Sequence, residues 1–181
     1  LRRRQRQMCI RDSADQVRSG DPGNVEAQAA RLYWSRTLGR GVGRQPAAGQ
    51  LIGANACLDY GYAVLRGHLM RAVLAAGLAP ALGVFHRGRG NAFALADDLI
   101  EPFRPAIDEV ALPLPATASP SDREVKQLLV AAASQRFDVD GHGIPAVAEA
   151  LAQSFGRYIE GDIDRLQVAS WQGPSRVGVG D

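Results

Sequence analysis

LGVFHRGRGNAFALADDLIEPFRP, residues Leu82–Pro105, places an imidazole, several cations and three carboxylates within one turn and one helical pattern. His86 ends a short apolar run that predicts a buried strand or extended piece over Leu82–Phe85. The carboxylates share the polar side of the helical pattern that follows; they are Asp97, Asp98 and Glu101. Because imidazole and carboxylate groups bind divalent cations, this stretch is typical of metal-dependent chemistry on phosphates.

Each of these residues also has a simpler explanation. A histidine after an apolar run is usually part of a core, and Glu101 could pair with Arg104 on a solvated helix face. Glu26, a further candidate ligand, falls in the first turn of an upstream helix, where the helix dipole favours any glutamate. The residue pattern alone leaves both explanations open.

Helical periodicity extends to both sides of this stretch. A helix is predicted from Asn24, as its N-cap, to about Leu38, and another over Ala54–Ala76, closed by Gly77. In the second helix, residues at steps of three and four predict one buried stripe: Leu58, Tyr62, Leu65, Leu69 and Val73. The rest of the sequence predicts four further elements: a helix capped by Asn91 and kinked at Pro102, a helix over Asp122–Ser134, a tight turn or hairpin around Asp140-Gly141, and a helix from Pro145 to about Glu160.

The composition of the 181 residues, 46% hydrophobic and 22% charged, suits one globular domain or the larger part of a two-domain protein. The longest charge-free run, Ala72–Phe85, is shorter than the roughly 20 residues that span a bilayer. The net charge of +2 depends on residues 1–13, which hold five arginines, so overall basicity does not indicate nucleic-acid binding. Cys9 and Cys57 form no metal-ligand or redox spacing, and we expect a cytoplasmic protein.

The chain is predicted to have three parts. Residues 1–13 show no apolar period and differ in style from the rest, so we interpret them as a non-native leader. Residues 14–170 form the predicted helical catalytic domain, and residues 171–181 are a tail without a pattern.

Four motifs together carry a family resemblance. They are GNVEAQAARLYW at 23–34, NACLDYGYAVL at 55–65, the Gly-x-x-His turn at 83–86, and Asp-x-x-Glu-Pro-Phe-Arg-Pro at 98–105. They closely resemble the CRISPR-associated endonuclease/integrase of spacer acquisition, the Cas-one family, in the style of its type II-C branch. The resemblance covers about Val17–Val168 and implies a mainly helical fold, the C-terminal catalytic domain of that family, with its β-rich N-terminal domain absent from this chain.

The resemblance also implies a site and a reaction. Glu26, His86 and Glu101 match the family's ligands for Mg²⁺ or Mn²⁺, and Asp98 matches a further acidic position of the catalytic set. Residues matched to DNA contacts are Arg31, Arg87 and Arg89. The implied reaction inserts prespacer DNA into a CRISPR array, by attack of a 3′-hydroxyl on a phosphodiester. Its implied partners are double-stranded DNA, a second copy of the chain and the small Cas-two protein, without a membrane.

Two other functions remain open. A non-catalytic helical DNA-binding or scaffold module would need no metal, and substitution of Glu26 would leave its activity unchanged. A metal-dependent phosphohydrolase of the HD kind would normally use adjacent His-Asp ligands, which this sequence does not offer near His86. We expect this chain by itself to integrate DNA poorly, since the implied N-terminal domain builds much of the dimer.

Overall fold

The computed structural model describes residues 21, 23–38, 43–46, 49–85, 90–171 and 173. Contacts within the chain group it into two compact units, Leu1–Ala48 and Gly49–Asp181. The described residues form α-helices, one 3-10 turn and an isolated antiparallel bridge, with no strand among them. The predicted mainly helical fold is confirmed.

Helix α1, Val25–Thr37, belongs to the first unit and agrees with the predicted range. Asn24 is the N-cap residue, as predicted, but its backbone is left-handed (φ 51°) and its side chain does not cap the helix amides. Asp21 takes that role instead, because its carboxylate oxygens accept the amides of Val25 at 2.9 Å and Glu26 at 3.0 Å.

The second unit contains five further described helices. They are α2 (Gly53–Ala75), α3 (Ala94–Leu99), α4 (Arg104–Ala111), α5 (Arg123–Ala132) and α6 (Ile144–Glu160). Helix α2 packs against each of the other four. Its predicted stripe is confirmed: Leu58, Leu65, Leu69 and Val73 are fully buried, and Tyr62 is half-buried.

Both ends of α2 are fixed by backbone hydrogen bonds. The Gly53 amide donates to the Ala118 carbonyl at 2.7 Å, which ties the helix start to the segment between α4 and α5. At the other end Gly77 adopts φ +72°, and the Leu78 amide donates to the Val73 carbonyl at 3.1 Å. This is the glycine-capped helix end that the sequence predicts.

The predicted kink at Pro102 is a full interruption. Helix α3 ends at Leu99, Glu101–Phe103 form a 3-10 turn, and α4 starts at Arg104 with a second proline in its first turn. Proline lacks the amide that would continue the α-helical ladder, so the two prolines divide one apolar pattern into two helices. The core side of the pattern is nevertheless continuous, since Ala96, Ile100 and Phe103 are all buried.

The predicted burial of the strand or extended piece at Leu82–Phe85 is wrong. Leu82 and Phe85 are 73% and 74% exposed, and the segment forms no strand. The apolar letters misled because the described chain offers no neighbouring strand to pair with, and the amides of Val84 and Phe85 bond to a side chain instead.

The predicted helix cap at Asn91 is wrong, because α3 begins at Ala94 with Phe93 as its N-cap residue, and Asn91 accepts the Phe93 amide at 3.1 Å instead.

The two helices predicted after α4 and the hairpin between them are confirmed. Helix α5 follows Asp122, and α6 has its proline in the first turn. Between them, Arg136 and Gly143 form an antiparallel bridge, and Gly141 adopts φ +84° at the tip of the hairpin. Among the described residues, none of the helices combines the length and apolar content needed to cross a bilayer.

Gly61 sets the distance between α2 and α4. A Cβ atom at this position would lie 2.5 Å from the Ile107 Cγ2 atom, which is fully buried and has little room to move. Gly67, two turns further along the same helix, has open space around the same position. The two glycines therefore form a matched pair in one helix.

We expect Gly61→Ala to lower the free energy of unfolding by about 1–2 kcal/mol, because overpacking outweighs the gain in helix propensity. Gly67→Ala should raise it by up to about 1 kcal/mol, since only the propensity changes. Thermal or urea unfolding of both variants checks this. Equal stability of the two variants would contradict the close approach of the helices.

Candidate functional site

The predicted site residues of the first unit lie on α1. Glu26 is exposed in the first turn of the helix, and its amide is capped by Asp21. Arg31 is exposed one turn later, and its Nε donates to the Ala27 carbonyl at 3.3 Å. Both side chains are accessible from solvent, as a ligand for metal or phosphate requires.

His86, Arg87 and Arg89 lie outside the described residues. The convergence of Glu26, His86 and Glu101 on one ion therefore stays a prediction. The structure does describe the residues on either side of this segment and the acids of the following helix.

Asp97 is held by an arginine that the sequence analysis did not single out. Arg66 of α2 donates from Nε to Asp97 Oδ1 at 2.5 Å and from Nη2 to Asp97 Oδ2 at 3.1 Å. Asn91 donates to Asp97 Oδ2 at 2.7 Å, and its own oxygen accepts from Arg66 at 3.3 Å and from the Phe93 amide at 3.1 Å. The hydrogen bond to Asp97 raises the pKa of Arg66, against an opposing effect of burial. Asp97 thus joins α2, α3 and the segment before α3.

Asp98 binds backbone. Its Oδ2 atom accepts the amide of Val84 at 2.5 Å and the amide of Phe85 at 3.0 Å. A carboxylate that accepts two amides makes charge-assisted hydrogen bonds, which are stronger than neutral ones. These bonds fix the two residues that directly precede His86 in the chain.

Glu101 lies in the 3-10 turn and is half exposed. Its Oε1 is 3.0 Å from Arg104 Nη2, the pairing that the simpler explanation of this glutamate predicts. The guanidinium of Arg104 in turn lies over the Tyr62 ring, 5.1 Å from its centroid, and the Tyr62 hydroxyl donates to the buried Asp108. This chain of contacts connects Glu101 to the centre of α2.

The three acids of the opening stretch therefore contact three different groups. Asp97 pairs with a guanidinium, Asp98 accepts backbone amides, and Glu101 pairs with an arginine on the surface. Helical spacing correctly places them near one another, but it does not show which oxygens are already bound. The Glu101 side chain is 49% exposed, against 22% for that of Asp97.

A second group of possible metal ligands occurs at the hairpin before α6. Asp138, Asp140 and His142 each offer one ligand atom, and these atoms all lie within 4.8 Å of one another. The group borders a cavity of about 420 Å³ along α6. These residues belong to the sequence DVDGH at 138–142. Alternating acids beside a glycine are typical of a turn, so the sequence pattern indicated a turn and no metal ligands.

Local hydrogen bonds account for much of this second group. Asp138 accepts the His142 amide at 2.8 Å through Oδ1, and its Oδ2 lies 2.8 Å from His142 Nδ1. The side-chain hydrogen bond and the charge of Asp138 raise the pKa of His142. Burial acts to raise the pKa of Asp138, but the hydrogen bonds from His142 outweigh it, and the pKa is lowered. Asp138 and His142 thus form a hydrogen-bonded pair across the hairpin, which is an ion pair when the imidazole is protonated.

We expect nuclear magnetic resonance titration to place the pKa of His142 above its ordinary value of 6.5, and that of His68 below it. Burial, aided by the charge of Arg71, lowers the pKa of His68. The contribution of His142 to stability is complete below pH 6.5 and is lost as the pH rises through its raised pKa.

Asp138→Asn should lower the pKa of His142 and leave that of His68 unchanged. An unchanged His142 titration in this variant would contradict the ion pair.

The sequence of this chain matches the profile of a known protein family. The profile of the family described as CRISPR associated protein Cas1 matches residues 23–124, more than half of the chain. The chain belongs to the Cas1 family. The matched region contains the four motifs of the sequence analysis, and it confirms the resemblance drawn from them.

Individual Cas1 proteins are similar over part of their length. The CRISPR-associated endonuclease Cas1 of Neisseria meningitidis serogroup C is 48% identical over 99 residues, which are 55% of this chain and 31% of that protein. A second Cas1 endonuclease, from Pyrobaculum aerophilum, is 28% identical over 139 residues, which are 74% of this chain and 46% of that protein. This Cas1-family chain therefore spans about a third to a half of the length of these relatives.

The fold also matches a solved structure. A casposase bound to integration product superposes with a TM-score of 0.67 over 80% of this chain and 48% of the casposase, at 19% sequence identity. At this identity the match shows that the helical fold is shared.

Proposed function

We propose that this chain is the helical catalytic part of a metal-dependent DNA endonuclease and integrase. In the proposed reaction, a 3′-hydroxyl of prespacer DNA attacks a phosphodiester of a CRISPR repeat. The observation that carries the proposal is the family match over residues 23–124, because this range contains every residue of the proposed site. That site consists of Glu26, His86, Asp98 and Glu101.

The donor set of Glu26, His86 and Glu101 fits a divalent cation. Two carboxylates and an imidazole suit Mn²⁺ as well as Mg²⁺, and Glu101 is half exposed, so that an ion can reach it from solvent. When bound, the metal would polarise the phosphodiester and stabilise charge on the attacking and leaving oxygens.

The arginine beside Glu101 is compatible with this site. Arg104 balances the charge of Glu101 from the side of α4, and an exposed pair of this kind contributes at most about 1 kcal/mol. A divalent cation, with twice the charge and a shorter bond to oxygen, can displace such a partner. The exposed pair with Arg104 therefore does not exclude Glu101 as a metal ligand.

Three arginines support DNA binding through phosphates. Arg31 is exposed on α1, and Arg87 and Arg89 closely follow the proposed histidine ligand in sequence. Guanidinium groups bind phosphate oxygens in pairs and carry no base preference. Binding of double-stranded DNA should accordingly weaken as salt rises. The casposase whose fold is shared is bound to integration product, which supports the same class of substrate.

The proposed partners follow from the family. We propose that the active protein is a homodimer that works with the small Cas-two protein in the cytoplasm, without a membrane. Residues 14–170 are the proposed catalytic domain.

Mn²⁺ binding tests the metal site directly, by titration calorimetry on the 181-residue chain. We expect His86→Ala and Glu101→Ala each to abolish high-affinity binding, and Glu26→Ala to do the same. The melting temperature should change little in Glu101→Ala, because its pair with Arg104 is exposed. In the presence of the Cas-two partner, the same variants should lose strand transfer into a plasmid that carries a CRISPR repeat.

His142→Ala is the matched control. It removes the imidazole of the second possible metal group and leaves the proposed site intact. Unchanged Mn²⁺ affinity in Glu101→Ala, together with loss in His142→Ala, would move the metal to the hairpin and refute the proposed site. No effect of any variant, with DNA binding retained, would favour the scaffold module.

A further inference from the structure

The turn that carries Glu101 and Arg104 has a well-defined backbone. Pro102 and Pro105 each fix one of its φ angles, and Phe103 between them is buried in the core. The Arg104 amide also donates to the Glu101 carbonyl. The side chains of Glu101 and Arg104 therefore start from a backbone of fixed shape.

The guanidinium of Arg104 is held over an aromatic ring. Its Cζ atom lies 5.1 Å from the centroid of the Tyr62 ring, within the range of a cation–π contact. The ring is itself fixed, because Tyr62 is half-buried on α2 and its hydroxyl donates to the buried Asp108 of α4. A planar guanidinium on a fixed ring is pre-organised, so it loses less conformational freedom when it binds an anion.

The guanidinium retains capacity for a second anion. Glu101 Oε1 lies 3.0 Å from Nη2 of Arg104, while Nε is buried and has no hydrogen-bond partner among the described residues. Glu101 therefore does not bind the Nε–Nη2 edge as a fork, in contrast to Asp97, which binds Arg66 through both of its oxygens. Because the Arg104 side chain is 38% exposed, an anion in solution can reach its Nη groups.

The chemistry of a guanidinium favours phosphate as this anion. A phosphodiester presents two non-bridging oxygens, which a planar guanidinium can bind together. The pair between Glu101 and Arg104 is exposed on both sides, and exposed pairs of this kind are weak. A phosphate group can therefore compete with Glu101 for the arginine.

We propose that Arg104 binds a DNA phosphate and that Glu101 is its internal competitor, which occupies the guanidinium while no DNA is bound. The inference rests on the proposed function for DNA as the ligand. It adds to the proposed DNA contacts a residue that lies in the second unit, beside the exposed carboxylate of the candidate site.

Fluorescence anisotropy of a labelled DNA duplex, measured with the 181-residue chain in EDTA, tests this without any metal. We expect Glu101→Gln to tighten binding by about three- to fivefold, because the guanidinium loses its competitor. In the Arg104→Ala background the same substitution should have no more effect than Glu124→Gln. Glu124 is an exposed acid of α5, so this control removes one negative charge at a different place.

The salt dependence of binding tests whether the contact is made to phosphate. The slope of log affinity against log salt should steepen by up to about 0.9 in Glu101→Gln, and Arg104→Ala in that background should reverse the change. Arg104→Lys, which keeps the charge but not the planar fork, should retain the steeper slope and lose part of the affinity. Arg157→Ala removes an exposed arginine of α6 and should leave the effect of Glu101→Gln unchanged.

Two results would overturn the inference. An equal gain from Glu101→Gln with and without Arg104 would reduce the effect to overall charge, and a gain no larger than that of Glu124→Gln would exclude the competition. If Arg104→Ala does not fold, as judged by circular dichroism, Arg104→Gln takes its place in each comparison.

Failure of the proposed function has a different signature. Mn²⁺ binding that is insensitive to Glu101→Ala would refute the metal site and leave the competition for Arg104 standing. Absence of duplex binding in the parent chain and in every variant would refute the proposed DNA substrate, and the inference with it.

Discussion

The apolar stripe of α2 is the constraint on which the second unit depends. Four helices pack against this one helix, and its fully buried side chains form part of the core with each of them. The approach of α4 is possible because position 61 carries no side chain and Ile107 fills the space. Burial of this kind contributes about 25 cal/mol for each Å² of apolar surface, so the buried stripe of α2 stabilises the unit.

The same helix also organises the polar residues. Arg66 extends from α2 to Asp97, and Tyr62 lies under Arg104 and donates to Asp108. Arg66 and Tyr62 lie beside the buried leucines of α2. At such a position a long side chain can keep its apolar stem in the core and its polar end near the surface. Acids on α3 and in the 3-10 turn are thereby placed by the helix that holds the core together.

Much of this fold could be predicted from the sequence, since periodicity, caps and prolines are local signals. The range of α2, the interruption at Pro102 and the start of α6 at a proline agree with the structure. Two features were out of reach of the local sequence for the same physical reason. Asp21, and not the N-cap residue Asn24, caps α1 with its side chain, and Asp98 binds the exposed backbone at Leu82–Phe85, in both cases through bonds to backbone amides several residues away.

The candidate site was predictable to a smaller degree. Helical spacing placed Asp97, Asp98 and Glu101 near one another, and the motifs indicated the family; the roles of the acids stay a prediction. The hydrogen-bond partners of these acids could not be predicted. Arg66, which binds Asp97, lies 31 positions earlier in the sequence, and no local pattern relates the two residues. The possible metal ligands around Asp138 were not predicted, because the same residues are fully explained as a tight turn.

Two residues of the tripeptide Tyr60-Gly61-Tyr62 are required by the packing of the helices. Its glycine is required by the spacing of two helices, and one of its tyrosines by a hydrogen bond to a buried acid. These demands are architectural, so a chain with this fold has to meet them whether or not it is catalytically active. Presence of the tripeptide in another sequence is therefore evidence for the packing of these helices, and it carries no information about activity.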